Sequence, residues 1–265
     1  MAIKALIFDW AGTTVDHGSL APVRTLERVL SDAGITVPQA VIRRDMGLAK
    51  LDHITRLLEE PEVIAAWKAA HGTAPPKQAA NDLYAAFLPL QMECLLTYSH
   101  VLEGVPEAVA LFEARGLRIG STTGYTRAML DALATSAAGE GYRPELAMSP
   151  EDVGAGRPDP AMCLEICRRF GVEPWECIKI GDTESDVAEG LNAGMWTIGI
   201  TRTGNMIGLS QEEWEGLSRD QQEEKLESAS NALLGTGADA IAESVAASVE
   251  QVEQLMAKAQ ENGRP

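Results

Sequence analysis

A change of period along the chain most limits the folds open to it. Short apolar runs of strand length occur at Ala5–Phe8, Leu117–Ser121, Glu145–Met148, Cys177–Ile180 and Thr197–Ile200. Segments of helical period lie among the later runs, at Pro106–Ala114, Arg127–Ala137, Pro160–Phe170 and Ser185–Asn192. Gly116, Gly171 and Gly194 stand just past three of these helices, where a left-handed cap is wanted. Strands that are apolar almost throughout, alternating with helices, predict a parallel sheet covered on both faces. The alternation breaks once. From Ser19 to His100 nothing reads as a strand, and successive helices fit at Pro22–Ala33, Gln39–Arg44, Lys50–Glu59, Glu62–Ala70 and Lys77–Thr97. Pro22 suits a first helical turn and Gly34 an exit. The expected class is therefore α/β. A doubly wound parallel core of residues 1–18 and 101–265 carries an all-helical cap, residues 19–100, inserted after the first strand. Beyond Thr203 the pattern is weaker. Gln211–Ala229 is charged and helical, Gly235–Ala238 leads into a last element, and Val245–Ala257 reads as an amphipathic helix.

Composition narrows the partners. The 265 residues suffice for this two-part arrangement, and 45% hydrophobic with 23% charged residues is ordinary for a globular chain. A formal net charge of −17 argues against non-specific binding to nucleic acid or to an anionic membrane surface. It leaves room for a small anion, because a local cluster of donors can outweigh the global field. Cys94, Cys163, Cys167 and Cys177 form no CxxC pair and complete no His/Cys site, so they read as reduced core cysteines. The N-terminus runs straight into the first strand, without a basic and then apolar leader, and no run approaches the ~18 apolar residues of a membrane span. A soluble, cytoplasmic protein is expected.

Candidate chemistry gathers where strands end. Asp9 directly follows the first strand in Phe8-Asp9-Trp10-Ala11-Gly12-Thr13-Thr14. The carboxyl ends of strands form the ligand crevice of a doubly wound sheet, so Asp9 fits a covalent nucleophile, a metal ligand or a plain helix cap. Gly12 and Thr13 allow a sharp turn that presents amides and a hydroxyl to an anion. Thr122-Thr123-Gly124 follows another strand, Gly156-Arg157-Pro158 precedes a helix, and Gly181-Asp182-Thr183-Glu184-Ser185-Asp186 follows a further strand. Acids hold a hard cation, hydroxyls and amides hold phosphate oxygens, and Arg neutralises charge. The four segments together therefore suit phosphoryl transfer better than any one alone.

In this order and context the four segments resemble the motifs of the haloacid dehalogenase superfamily, over about Ala5 to Ile200. The resemblance implies a Rossmann-like core. It implies that Asp9 attacks phosphorus to give an aspartyl-phosphate, that Thr123 binds the transferring group, and that Arg157 takes the place usually held by Lys. It also implies that Asp182, with Asp9 and the carbonyl of Ala11, holds Mg²⁺, and that Asp186 supports the metal's water shell.

One departure narrows the reaction. Most phosphatases of this superfamily carry a second Asp two residues after the nucleophile, to protonate the leaving alkoxide and later activate water. Here that position is Ala11, which does neither. The helical insert contains Met46-Gly47-Leu48-Ala49-Lys50-Leu51-Asp52-His53. Alone, Lys50 is an ordinary surface lysine and His53 a packed or surface histidine. A lysine amine also condenses with an aldehyde, and the protonated imine is an electron sink. A C–P bond beside it then breaks to a neutral enamine, and no acid is needed at residue 11. His53, three residues on, shares the helix face and is expected to help move protons.

Phe8 to Asp16, Met46-Gly47-Leu48 with Lys50 and Asp52-His53, Gly120 to Arg127, Gly156-Arg157-Pro158 and Asn192 to Thr197 together closely resemble the phosphonoacetaldehyde hydrolase family. That resemblance implies hydrolysis of phosphonoacetaldehyde, a small phosphonate, to acetaldehyde and phosphate. Lys50 would be the Schiff-base residue and a homodimer the usual assembly. The family often has Cys where this chain has Ser19, and a supporting role is expected there. Met46 and Tyr125 either line the pocket or merely pack. The base for the last hydrolysis is either the Lys50 adduct or a water chain through His53. Three other readings stay open: a Mg²⁺-dependent phosphatase or phosphomutase, a metal-independent dehalogenase that attacks carbon, and a non-catalytic binding protein on the same fold.

Overall fold

The computed structural model describes residues 2–262. The first strand, β1 (Ala5–Phe8), is buried along its whole length. Five helices follow with no strand among them: α1 (Leu20–Asp32), α2 (Gln39–Arg43), α3 (Lys50–Leu57), α4 (Pro61–His71) and α5 (Ala79–Leu95). Then come α6 (Val105–Ala114), β2 (Arg118–Thr122), α7 (Arg127–Gly139), β3 (Leu146–Met148), α8 (Pro150–Val153), α9 (Ala161–Phe170), β4 (Cys177–Gly181), α10 (Glu184–Ala193) and β5 (Trp196–Ile200). The chain continues through α11 (Gln211–Glu215), α12 (Arg219–Thr236), β6 (Ala240–Ala242) and α13 (Val249–Asn262).

All six strands are parallel, in the order β3-β2-β1-β4-β5-β6. β4 and β5 are buried at every residue, which is why they are mostly apolar and why the Lys179 and Thr197 side chains they carry are buried too. The order reverses between β1 and β4. A crevice must open there, because consecutive connections leave in opposite directions. The fold is the expected α/β one, a Rossmann-like core with a helical cap.

The inserted helices bury an apolar stripe formed by Leu26, Leu30, Ile54, Leu57, Leu83 and Phe87. That stripe is continuous with core residues such as Phe8, Trp10 and Phe112, so the cap is seated on the core. Gly171 and Gly194 close α9 and α10 in left-handed conformation, as expected, and Gly116 has φ of 80° just past α6.

The C-terminal part differs from the sequence reading. The single charged helix expected at Gln211–Ala229 is two helices. Ser210 caps α11 with Glu213, and Ser218 starts α12 afresh with Gln221. Two capping boxes eight residues apart cannot belong to one helix. β6 was not expected as a strand, and it lengthens the sheet beside β5.

Candidate active site

The site lies at the carboxyl ends of β1, β2 and β4. The Asp9 amide donates to the Ile180 carbonyl (2.8 Å), so the ladder between β1 and β4 fixes its backbone. Asp9 is 5% exposed, and its carboxylate meets the Arg157 guanidinium at 2.7 Å. Arg157 also reaches Asp186 at 3.0 Å and Glu189 at 2.9 Å, and donates to the Thr122 hydroxyl at 2.8 Å. Lys179, from the middle of β4, adds ion pairs to Asp186 (3.0 Å) and Glu189 (3.1 Å). Burial raises the pKa of Asp9, the Asp186 charge raises it further, and Arg157 and Lys179 oppose the shift. Asp182 is raised well above the usual carboxylate range by burial and by the charges of Asp9 and Asp186. Burial also works against Asp186, but Arg157 and Lys179 outweigh it and its pKa falls below the ordinary value.

Ligand oxygens of Asp9, Asp182 and Asp186 lie within 4.8 Å of one another, all buried. Four buried carboxylates, counting Glu189, thus share two buried cations, Arg157 and Lys179. A divalent cation fits that excess of negative charge, and carboxylate oxygens are its preferred donors. Gly12 makes the cluster possible. With φ of +89°, a Cβ there would stand 2.2 Å from an Asp182 oxygen.

The cap supplies the opposite wall. A small cleft is lined by Asp9, Ala11, Lys50, Thr123 and Arg157, and also by Met46, Tyr125, Gly124 and Ser19. Lys50 opens α3, is 5% exposed, and sits 3.7 Å from the Met46 sulfur and 5.5 Å from the Tyr125 ring centre. Burial brings its pKa down to about 8, Asp9 pulls the other way, and Arg157 reinforces the fall. The cap loop comes this near because glycines meet it. A Cβ on Gly47 would strike the Ser185 and Thr183 hydroxyls, and one on Gly124 would lie 2.4 Å from the Leu48 carbonyl oxygen.

Residues 3–194 match the family described as haloacid dehalogenase-like hydrolase. The phosphonoacetaldehyde hydrolases of one Bacillus cereus strain and of Bacillus thuringiensis are each 41% identical over 239 residues, 90% of this chain and 90% of theirs. The chain belongs to the phosphonoacetaldehyde hydrolase family, within the haloacid dehalogenase-like hydrolases. It is thus an enzyme of a hydrolase family. The crystal structure of a phosphonoacetaldehyde hydrolase-like protein from Oleispira antarctica superposes with a TM-score of 0.96 at 35% identity, covering 100% of this chain and 96% of that one. A hydrolase from Pseudomonas syringae, at 18% identity and a TM-score of 0.67 over 95% of this chain and 98% of its own, shares the fold.

Within this family frame, the structure brings most of the expected residues together and moves three. Met46 and Tyr125 both face the cleft. Gly12 and Thr13 do not. The Gly12 amide donates to the Val15 carbonyl and the Thr13 amide to the Trp10 carbonyl, while the Thr13 hydroxyl donates to Asp182 at 2.9 Å. The tight turn consumes its own amides, so these residues hold Asp182 rather than an anion. His53 is fully buried, its Nε2–H donates to the Ile42 carbonyl at 2.7 Å, and burial drops its pKa to about 3. It faces the cap interior, not the cleft wall.

Sequence reasoning missed Thr122 and Glu189, which bind Arg157, and Lys179, which shares those two side chains and Asp186. Lys179 was legible in principle, because a lysine inside Cys177-Ile178-Lys179-Ile180 must find a buried partner. Glu189 carries no such mark.

Proposed function

We propose that this protein hydrolyses the C–P bond of phosphonoacetaldehyde to acetaldehyde and phosphate. One observation carries the reading: a buried Asp9 and a buried Lys50 face one small cleft, with Ala11 where an ester-cleaving enzyme would need an acid. The names of the relatives at 41% identity support the substrate.

Thr123 and Arg157 hold the phosphonate oxygens at the cleft. Asp9, Asp182 and the carbonyl of Ala11 are the proposed ligands of Mg²⁺, with Asp186 supporting its water shell. When bound, the cation neutralises charge on the phosphonate that would otherwise repel an attacking carboxylate. The neutral Lys50 amine adds to the aldehyde carbon, one proton is taken up from solvent, and the carbonyl oxygen leaves as water, giving a protonated imine. An Asp9 oxygen then attacks phosphorus. The C–P bond breaks, its electron pair flows into the imine, and a neutral enamine results. No alkoxide forms, so Ala11 suffices. Protonation at carbon returns the imine, and water releases acetaldehyde and restores the Lys50 amine. A second water cleaves the P–O bond to Asp9 and frees phosphate. His53 is too weak a base for that step, which assigns the proton to the Lys50 nitrogen; His53 fixes the packing of α3 instead. Met46 and Tyr125 shield Lys50 from water, and burial keeps its amine available near neutral pH. Ser19 supports the cleft wall.

We further infer that the cap spans residues 19–100, that the protein works in the cytoplasm, where its four free cysteines stay reduced, and that it is a homodimer. Among the described residues no helix is long and apolar enough to cross a membrane.

The test is incubation with phosphonoacetaldehyde and Mg²⁺, measuring phosphate and acetaldehyde together, beside Lys50→Ala and Asp9→Ala. Equimolar products from the unmodified protein alone are expected. Phosphate released from ordinary esters, unaffected by Lys50→Ala and absent with phosphonoacetaldehyde, would replace this reading with a phosphatase.

A further inference from the structure

Arg43 is a cap residue outside the lining of the cleft, yet its side chain is bonded to the core. It ends α2, three residues before Met46. Its Nη1 donates to the Gly18 carbonyl and to Asn205 Oδ1, each at 2.9 Å, and its Nη2 donates to the Gly208 carbonyl at 3.0 Å. Asn205 answers with its amide nitrogen, which donates to the Arg43 carbonyl at 3.2 Å. Three partners, two of them main chain, use the planar fork of a guanidinium in a way that a single ammonium cannot. The approach is close enough to demand a glycine. A Cβ on Gly208, already at φ of +68°, would stand 2.6 Å from the guanidinium carbon.

The far side of the same loop touches the carboxylate cluster. The backbone N–H of Asn205 donates to Asp182 Oδ2 at 2.7 Å, and a Cβ on Gly204 would meet the Asp182 Cβ at 2.5 Å. Thr203 donates from its hydroxyl to the Gly12 carbonyl (2.8 Å), and Gly12 lies directly against Asp182. The segment 203–208 is therefore gripped from the cap by one arginine and placed against one oxygen of Asp182. The other oxygen accepts from Thr13 within the core.

We propose that Arg43 is a positioning residue that couples docking of the cap to the orientation of Asp182. The relay runs from Arg43 through the Asn205 side chain to the Asn205 amide and Asp182 Oδ2. With the cap docked, the 203–208 loop holds that oxygen in place. With Arg43 withdrawn, the loop loses three hydrogen bonds and the carboxylate loses its fixed donor geometry. The same arginine leads into the Met46–Ala49 loop, so the event that seats Lys50 over the cleft also readies the acid cluster. Reciprocity follows: a cation on Asp182 favours the docked cap by the factor with which docking favours the cation. The inference rests on Asp182 as a metal ligand.

Isothermal titration with Mg²⁺ alone, on the whole protein without substrate, tests it. Arg43→Gln and Asn205→Ala each cut the relay. Asn205→Ala keeps the backbone donor to Asp182 and so guards against a variant that simply fails to fold. Both are expected to weaken Mg²⁺ binding by about tenfold or more, as losses among groups that orient metal ligands do. Arg43→Lys should recover part of the loss. Arg44→Ala, which removes an exposed arginine paired with Glu60 and Glu62 inside the cap, should bind as the unmodified protein does. Unchanged Mg²⁺ affinity in Arg43→Gln and Asn205→Ala would overturn the relay. Failure of the unmodified protein to bind Mg²⁺ would overturn it together with the metal site. The expected pattern of affinities in a protein that does not turn over phosphonoacetaldehyde would uphold the relay and defeat the proposed substrate.

Discussion

Lys50 and His53 sit one helical turn apart, and burial does opposite things for their usefulness. The amine must be neutral to attack a carbonyl, and burial brings Lys50 to about 8, far closer to neutral pH than a free lysine. Only the unprotonated form reacts, so kcat/KM should climb as pH rises and level off above about pH 8. A pH–rate profile that is flat across that region would separate Lys50 from the chemistry. Burial lowers His53 as well, to about 3, where it accepts a proton poorly. His53→Ala leaves the Ile42 carbonyl without its donor and should cost about 1–3 kcal/mol of stability in denaturant titration. The acid limb near pH 8 should stay where it is. Asp9, Lys50, Thr123 and Arg157 were legible because each follows a strand end or stands in a glycine-marked turn. Thr122 and Glu189 were not, and Lys179 announced only that it needs a buried partner, since their partnership exists only once β2, β4 and α10 are assembled.

The elements that bring cap and core together depend on bare backbone. Gly124→Ala places a methyl group 2.4 Å from the Leu48 carbonyl oxygen, so the Lys50 loop must lift. The φ of Gly124 is not in the left-handed region, so the fold itself loses little. A fall in kcat/KM of about 100-fold with an almost unchanged melting temperature is expected, the usual scale for reacting groups misplaced by an ångström. At the other end of the cap, Asp16 accepts from the Leu20 and Ala21 amides and so opens α1. Burial lifts its pKa from 3.8 to about 7. A raised carboxyl stabilises the protein fully below the lower value and loses that contribution as pH rises through the upper one. Asp16→Asn should therefore narrow the difference in melting temperature measured below and above pH 7. The central strands and most helices could be read from period alone, because burial on both faces leaves apolar runs. β6 could not, because Ala240-Ile241-Ala242 is too short to show a period. The split between α11 and α12 was written in Ser210 and Ser218, but a charged, helix-favouring stretch hides a cap unless its partner three residues on is sought.

At the scale of the whole molecule, a sheet that reverses its strand order opens a crevice, and an inserted helical cap closes it. The core contributes a carboxylate cluster that a cation would balance, and the cap contributes one amine. Neither half holds a complete site. The overall charge of −17 is no obstacle to an anionic substrate once a cation balances the buried carboxylates beside Arg157, which lines the cleft. The central claim is that the C–P bond breaks while the substrate is held as an imine on Lys50. Borohydride added during turnover of phosphonoacetaldehyde reduces such an imine to a stable amine, and peptide mass spectrometry locates it. A two-carbon adduct on the Lys50 peptide and loss of activity in step with its formation are expected, and neither effect without substrate. Continued equimolar release of phosphate and acetaldehyde with no adduct at Lys50 would contradict it.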